Sequence, residues 1–206
     1  MYTGSPLNLH SHFTTPIYTV EKPEFIEKIN QVATSELSTI TEIDPIYPVK
    51  QTKNIFDHPE VEDFLRFIGD TSWNILNEQG YNMDLYSMDF LECWVQEHFT
   101  HSVMEQHTHV FPSHMVGFYF LNVPENAPKA KFYDPRPAKT QIDLPQRSLE
   151  LTMCCPVVAF DPKPGLFIFT NAWLAHSFVK NASNSPFRFV HFNLSAEPLK
   201  NNPVVI

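Results

Sequence analysis

The sequence predicts a mainly β protein, a jelly roll or sandwich with N-terminal helices packed on one sheet. Two amphipathic segments of helical spacing come first in the chain, and short apolar or alternating runs follow them. No interval between these runs is long enough for regularly alternating crossover helices, so the sheets should be mainly antiparallel. The composition agrees, because 14% of the residues are aromatic and 18 are Phe, and aromatic residues favour strands.

Two helices are expected in the first 80 residues, after a short strand over Phe13–Val20. The first should begin near Pro23, which suits an opening turn, because apolar residues then recur at helical spacing. The second is marked by Asp57 and Glu60, which have the spacing of a capping box, and it should end at Gly80.

The remainder of the chain consists of short apolar or alternating runs separated by turn residues, a pattern typical of strands. The spacing predicts these strands: Met88–Val95, Met115–Val123, Lys131–Tyr133, Val157–Phe160, Leu166–Thr170 and Phe187–Leu194. The polar stretch Pro135–Pro156 is irregular, and a loop of that length is usually functional or mobile. We expect one domain over residues 1–206, with 1–80 as a helical support and 81–198 as the jelly-roll core.

Charge and cysteine content exclude several classes of protein. Lys and Arg total 14 against 23 Asp and Glu, a formal net charge of -9, and no basic stretch forms a nucleic-acid footprint. Three cysteines without a CxxC spacing indicate neither a zinc knuckle nor a disulfide framework. With no signal peptide or membrane-spanning run in the sequence, we expect a cytoplasmic protein, in the host cytoplasm if phage-encoded. A homodimer is compatible with the sequence.

The pair His107 and His109 is the first candidate metal-binding feature. In an extended chain, side chains two residues apart share a face, about 6.6 Å apart along the strand. Two imidazoles so placed can converge on one metal ion. The alternative is a pair of exposed or hydrogen-bonded histidines, since an isolated pair of this kind is weak evidence.

His176 is the second candidate, because it follows an apolar strand that ends in a turn at Asn171. Its alternative is a core histidine bonded to the backbone. Arg188 is the third candidate, in a strand where alternation places it on one face with Val190, opposite His191. A guanidinium can grip a carboxylate with two hydrogen bonds; the alternative is an outward Arg188 paired with a nearby acid.

Six stretches, spread over nearly the whole chain, follow the order of motifs in a known family. The relevant stretches are Phe13–Tyr18, His107–His109, Val116–Phe120, Phe132–Arg136, Phe169–His176 and Arg188–Asn193. They resemble the prolyl-4-hydroxylase-like 2-oxoglutarate/Fe(II) oxygenases of marine bacteria and their phages. The core of that family reads roughly H-x-H, S-G-V-Y-Y, F-x-D-P-R, F-P-x-W-L-x-H and R-x-x-x-x-F-N.

The resemblance implies a double-stranded β-helix core, iron, 2-oxoglutarate and O2. By position it gives His107 and His176 as iron ligands and Arg188 as the clamp for the far carboxylate of 2-oxoglutarate. His109 stands where the wider superfamily has Asp or Glu, so either three histidines hold the metal or another acid completes the site. Asp134 is the candidate acid, although Asp at this position is also typical of a turn.

Two further roles follow from motif position alone: Tyr119 assists Arg188, and Arg136 faces the substrate. Four other histidines are assigned a structural role: His98, His101, His114 and His191.

The implied reaction is hydroxylation of a substrate C–H bond, with release of succinate and CO2. Family kinship alone points to a peptidyl proline, and a small metabolite stays open. One rival is a metal cupin enzyme that uses the three histidines without 2-oxoglutarate. The other is a catalytically inactive jelly-roll module that binds a partner.

Overall fold

The computed structural model describes residues 8–142, 144–148 and 150–199. Its strands are β1 (Ile17–Glu21), β2 (Val49–Gln51), β3 (Tyr86–His98), β4 (Met104–His107), β5 (Met115–Asn122), β6 (Ala130–Tyr133), β7 (Val157–Phe160), β8 (Leu166–Asn171), β9 (His176–Phe178) and β10 (Phe187–Pro198). Its α-helices are α1 (Ile26–Ser38), α2 (Glu62–Glu78) and α3 (Pro137–Gln141). Short 3-10 helices cover Pro23–Phe25, Pro59–Val61 and Met83–Leu85.

The strands form two antiparallel sheets that face each other. The large sheet has the order β1-β8-β5-β10-β3-β2, and the small sheet has the order β4-β9-β6-β7. From β3 onward, consecutive strands alternate between the two sheets except for the β6–β7 pair, which lies within the small sheet; this is the arrangement of a double-stranded β-helix. The predicted fold class, mainly β with helices on one sheet, is confirmed.

The two main helices pack on the outer face of the large sheet, where they bury one of the two hydrophobic cores. Ile29 and Phe64 of the helices meet Tyr119, Phe167 and residues of the neighbouring strands there. The helices lie where the apolar spacing predicts them. The predicted capping box is wrong, because neither the 3-10 helix at Pro59–Val61 nor α2 has a side-chain cap hydrogen bond.

The second core lies between the two sheets and is strongly aromatic. Its largest fully buried side chains are Phe118, Phe120, Phe132, Phe178, Phe187 and Phe189. In β10 the side chains alternate between these two cores, so that Phe189 lies between the sheets and Val190 faces the helices. The face on which a β10 residue lies thus decides whether it can reach the small sheet.

Three strands are missing from the sequence prediction, and all are short. β2, β4 and β9 contain three or four residues each, too few for a clear alternation. Both β1 and β2 join the large sheet as edge strands, so the first 80 residues add strands to the sheet besides supporting it with helices. In the part of the chain that the structure describes, no helix could cross a membrane.

Candidate metal centre

Two strands of the small sheet bring His107 and His176 together. His107 ends β4, His176 begins β9, and the two residues are register partners in the antiparallel β4–β9 pair. His109 follows β4, and its backbone N–H donates to the carbonyl of Ala172 at 3.0 Å. The segment that carries His109 is thereby fixed to the turn before His176.

The three imidazoles form one cluster. The ring centroids of His107 and His176 are 4.5 Å apart, those of His107 and His109 5.2 Å, and those of His109 and His176 5.3 Å. One ligand nitrogen from each ring lies within 4.8 Å of the others. The structure thus brings together the three histidines that the sequence predicts as metal ligands.

Hydrogen bonds orient each ring and leave one nitrogen for a metal. His107 Nδ1 donates to the carbonyl of Glu105 at 2.8 Å, and His176 Nδ1 donates to that of Leu174 at 2.9 Å. The side-chain amide of Asn193 contacts His109 Nδ1 at 3.0 Å. The Nε2 atoms of His109 and His176 are buried and have no hydrogen-bond partner. Buried polar atoms rarely lack a partner, and a metal ion bound by both Nε2 atoms would provide one.

Burial keeps the imidazoles of His109 and His176 neutral. It lowers the pKa of His176 to about 3 and that of His109 to about 4, and neighbouring histidines add to both effects. A neutral imidazole is the form that binds a metal ion. Three neutral nitrogen ligands from rigid strands fit a divalent transition metal such as iron.

Asp134 does not complete this cluster, so the alternative third ligand is wrong. Its carboxylate accepts hydrogen bonds from Arg136 Nε at 2.9 Å and Nη2 at 2.8 Å, and Lys139 Nζ lies 3.7 Å away. The hydrogen bonds from Arg136 lower the pKa of Asp134 to about 2. Asp134 also accepts the backbone N–H of Arg136, so it holds a turn, as its place before a proline indicates.

Arg188 lies on the wrong face of β10 for the predicted role. Its guanidinium binds the carboxylate of Glu97 in β3 and donates to Asn30 and Thr34 of α1. These partners lie on the helix side of the large sheet, whereas the three histidines lie on the small-sheet side. The prediction of Arg188 as the carboxylate clamp is therefore wrong; Arg188 does pair with an acid, as the alternative holds, but both side chains are largely buried rather than exposed.

A one-residue offset explains the error. In the family pattern R-x-x-x-x-F-N the arginine precedes the asparagine by six positions, but Arg188 precedes Asn193 by five. Counted back from Asn193, the arginine position falls on Phe187, which is fully buried between the sheets. Side chains in a strand alternate between faces, so a shift of one residue moves the side chain to the other face.

The two remaining predicted roles fail for similar reasons. Tyr119 lies in the core under the helices, with its hydroxyl donating to the carbonyl of Lys22 at 2.8 Å, so it cannot assist at the histidines. Arg136 is held by Asp134 and lines a cavity with His12 and Phe13 that none of the three histidines lines. It does not face the metal centre.

His191 and Glu92 belong to this region, although the sequence reasoning assigned His191 to structure and left Glu92 out. The His191 ring lies 5.1 Å from that of His109, centroid to centroid. Its Nε2 is 3.7 Å from the Glu92 carboxylate. Alternation had placed His191 opposite Arg188, so the signal was present, and the choice of the wrong inward face concealed it.

Two cavities reach the cluster from different sides. One of about 530 Å³ touches His109 and is lined by apolar and aromatic residues, such as Met83, Phe111 and Trp173, together with uncharged polar residues such as Asn82 and Ser113. The other, of about 620 Å³, touches His107 and is lined by Tyr47, Trp94, Gln96 and Glu105 among others. Among the described residues that line these two cavities, none is Lys or Arg.

A histidine cluster at one end of a double-stranded β-helix defines a candidate non-haem metal oxygenase. Residues 92–193 match the model of the family described as putative 2OG-Fe(II) oxygenase, and the chain belongs to this family. Iron and 2-oxoglutarate are the cofactors of these enzymes. A search of curated protein sequences gave no match.

Solved structures share the fold at low sequence identity. A prolyl-4-hydroxylase from Pseudomonas putida is 7% identical, with a TM-score of 0.58, 90% of this chain and 94% of that chain covered. HygX from Streptomyces hygroscopicus, with nickel and 2-oxoglutarate bound, is 12% identical, with a TM-score of 0.59 and coverage of 88% and 83%. The carbocyclase SnoK from nogalamycin biosynthesis is 11% identical, with a TM-score of 0.62 and coverage of 92% and 85%.

Proposed function

We propose that this chain is an iron- and 2-oxoglutarate-dependent hydroxylase in which His107, His109 and His176 hold the iron. One observation carries the proposal: three imidazoles from separate segments offer ligand nitrogens within 4.8 Å of one another. When bound, iron together with 2-oxoglutarate and O2 would supply the oxidant: one oxygen atom of O2 would enter the C–H bond and the other would enter succinate, with loss of CO2.

The surrounding residues hold the ligand set in place and keep water away. The carbonyls of Glu105 and Leu174 fix the tautomers of His107 and His176, so that Nε2 is the free nitrogen in each. The ring of Phe118 packs edge-on against His176, with centroids 5.4 Å apart, and Phe132 lies 6.2 Å away. These aromatic walls limit the access of solvent to the metal from the core side.

The residues around the cluster fit iron better than they fit 2-oxoglutarate. Among the described residues, no Lys or Arg lines the adjoining cavities, and the cavity at His107 offers neutral donors on Tyr47 and Gln96 beside the acidic Glu105. The far carboxylate of the co-substrate would have no guanidinium to bind. We therefore expect 2-oxoglutarate to depend on the metal for most of its affinity, and the metal-free protein to bind it poorly.

The cavity at His109 is the proposed entrance for the substrate. The described residues of its lining include Tyr86, Phe111 and Trp173 and no Asp, Glu, Lys or Arg, which suits an uncharged, apolar group better than an anionic one. A prolyl ring in a peptide meets that description, and aromatic-lined grooves are a recurring way to bind proline. Two of the similar structures are prolyl hydroxylases, one of them with a peptide bound. Peptidyl proline is the proposed substrate.

Anaerobic metal loading tests the proposal. Purified protein should take up Fe(II), and addition of 2-oxoglutarate should give the weak visible charge-transfer band of the chelated metal. His176→Ala should lose the band and the iron of the three-histidine site, whereas Tyr119→Phe should keep both. Iron uptake without any band would indicate a cupin type of metal enzyme, and absence of iron uptake would overturn the metal centre.

The substrate is tested separately with proline-containing peptides and matched peptides in which alanine replaces proline. Mass spectrometry should show the gain of one oxygen on the proline peptides alone. Trp173→Ala should reduce this turnover without reducing iron content, because the residue lines the cavity but is not a ligand. Equal oxidation of both peptide sets, or of neither, would contradict a prolyl substrate.

A further inference from the structure

A second group of potential metal ligands lies beside the three histidines. Glu92 of β3, His109 and His191 of β10 offer ligand atoms that all lie within 4.8 Å of one another. The set contains two imidazoles and one carboxylate, a combination that binds divalent transition metals in proteins. It differs from the first cluster in carrying a negative charge.

His191 gives an independent sign that a ligand belongs here. Its side chain is 1% exposed, and neither ring nitrogen has a hydrogen-bond partner. The ring lies between Trp94, at 4.3 Å between centroids, and His109, at 5.1 Å. The nearest acid is Glu92 at 3.7 Å, which is beyond hydrogen-bond distance. A fully buried imidazole with two unpartnered nitrogens is costly unless another group binds it.

Glu92 provides access to solvent and a negative charge. Its side chain is 46% exposed, so it lies at the rim of the site, while His191 lies inside. A carboxylate at the mouth of a buried imidazole pair can attract and hold a cation.

We propose that Glu92, His109 and His191 bind a second divalent transition-metal ion next to the iron proposed above. The inference rests on the proposed iron site only in sharing His109 with it. His109 Nδ1 contacts the side-chain amide of Asn193, the strand partner of Glu92, at 3.0 Å; the second ion takes the place of this contact at Nδ1, and Nε2 binds the first ion. With both nitrogens metal-bound, His109 releases its ring proton to solvent. Mixed nitrogen and oxygen ligands suit zinc, iron, cobalt or manganese rather than calcium.

Metal stoichiometry tests the proposal. The full chain, stripped with a chelator and dialysed against Zn(II) or Co(II), should bind two ions by elemental analysis. Glu92→Gln should reduce this to one, with a loss of affinity for the second ion of about tenfold or more. His176→Ala should also leave one ion, now on the mixed set. Because Glu92 is half-exposed, its substitution should leave the fold intact, as circular dichroism can verify.

A matched control is available on the surface of the protein. His58 and Glu36 form another histidine–carboxylate pair, at 3.4 Å, to which the described part of the chain adds no third potential ligand. Glu36→Gln should leave the stoichiometry at two. Cu(II) gives a second readout, because two coppers that share one imidazole couple magnetically and lose EPR intensity, and Glu92→Gln should restore the full signal of one ion.

The outcomes separate this proposal from the iron site. One ion that is lost in His176→Ala but unaffected by Glu92→Gln would overturn the second position and leave the iron site standing. One ion with the reverse dependence would overturn the three-histidine site and support the mixed set. Failure to bind any ion would overturn both.

Discussion

Arg188 and Glu97 form an ion pair across the β10–β3 ladder, on the face of the large sheet that packs against α1. Arg188 Nε lies 2.9 Å from Glu97 Oε2, and Nη1 reaches Thr34 at 3.0 Å and Asn30 at 3.2 Å. Both charged side chains are largely buried, at 17% and 12% exposure. The arginine therefore fastens helix α1 to the sheet, and its role is structural.

Arg188→Ala should destabilise the protein without affecting co-substrate binding. The change removes charge-assisted hydrogen bonds and leaves Glu97 largely buried without its partner, which should cost about 2 kcal/mol in the free energy of unfolding. Urea denaturation of Arg188→Ala, Glu97→Gln and the double variant would measure the coupling between the two residues. At a temperature where the variant is folded, iron and 2-oxoglutarate should still give the charge-transfer band. Loss of the band in folded Arg188→Ala would contradict this assignment.

Segments long enough to show a periodic pattern of apolar residues predicted most of the fold. The apolar spacing located α1 and α2, and seven of the ten strands in the large and small sheets were predicted from the sequence. The three histidines were predicted because their spacing and order belong to a known family. A stretch of three or four residues, such as β9 at His176–Phe178, has no periodicity to detect and is defined only by pairing with its neighbours.

The inward face of β10 could not be fixed by alternation alone. Alternation separates Arg188 from His191 but does not say which of the two faces the small sheet. Both faces of this strand are buried, so hydrophobicity does not distinguish them. The prediction that Arg188 faces inward depends on the anion that a cation inside a sheet requires. Glu97 provides that anion, but on the helix side of the large sheet. Because the prediction places Arg188 on the inward face of β10, it places His191, on the opposite face, outside the site.

Asp134→Ala should retain iron, whereas His109→Ala should lose it. Asp134 is bound to Arg136 and lies outside the histidine cluster, so its removal should affect only the turn before Pro137. Elemental analysis after anaerobic loading compares the two variants, and limited proteolysis would report loosening of the Asp134 turn. An iron-free Asp134→Ala with unchanged circular dichroism would restore the carboxylate as a ligand.

The metal-free protein should lose stability as the pH falls below about 6.5. Burial lowers the pKa of His98 to about 4. As the pH falls from about 6.5 towards 4, the unfolded chain therefore binds a proton at His98 and the folded chain does not. This stability is fully present above the ordinary histidine pKa of about 6.5 and is lost as the pH falls towards 4. For His98 alone the loss is at most about 3 kcal/mol.

The variant His98→Gln isolates this effect from that of the metal ligands. Glutamine does not titrate and can still bond to Gln96 or Ser102, the present partners of His98. Urea denaturation in chelator at pH 7 and pH 5 should show a smaller difference in the free energy of unfolding for the variant than for the parent. Equal pH dependence in the two proteins would show that His98 ionises freely in the folded state.

Gly117→Ala should be strongly destabilising, and Gly69→Ala should not. A Cβ at Gly117 would lie 2.4 Å from the carbonyl oxygen of Ile168 and 2.3 Å from the Phe192 ring. Backbone in a paired strand cannot withdraw, so the cost should be about 3 kcal/mol or more. Gly69 lies inside α2 with no atom within 4 Å of an added Cβ, and alanine there should stabilise by about 0.5–1 kcal/mol. Thermal and urea unfolding of the two variants measure the contrast. Similar stability of both would mean that β5 and β8 lie farther apart at Gly117 than their pairing requires.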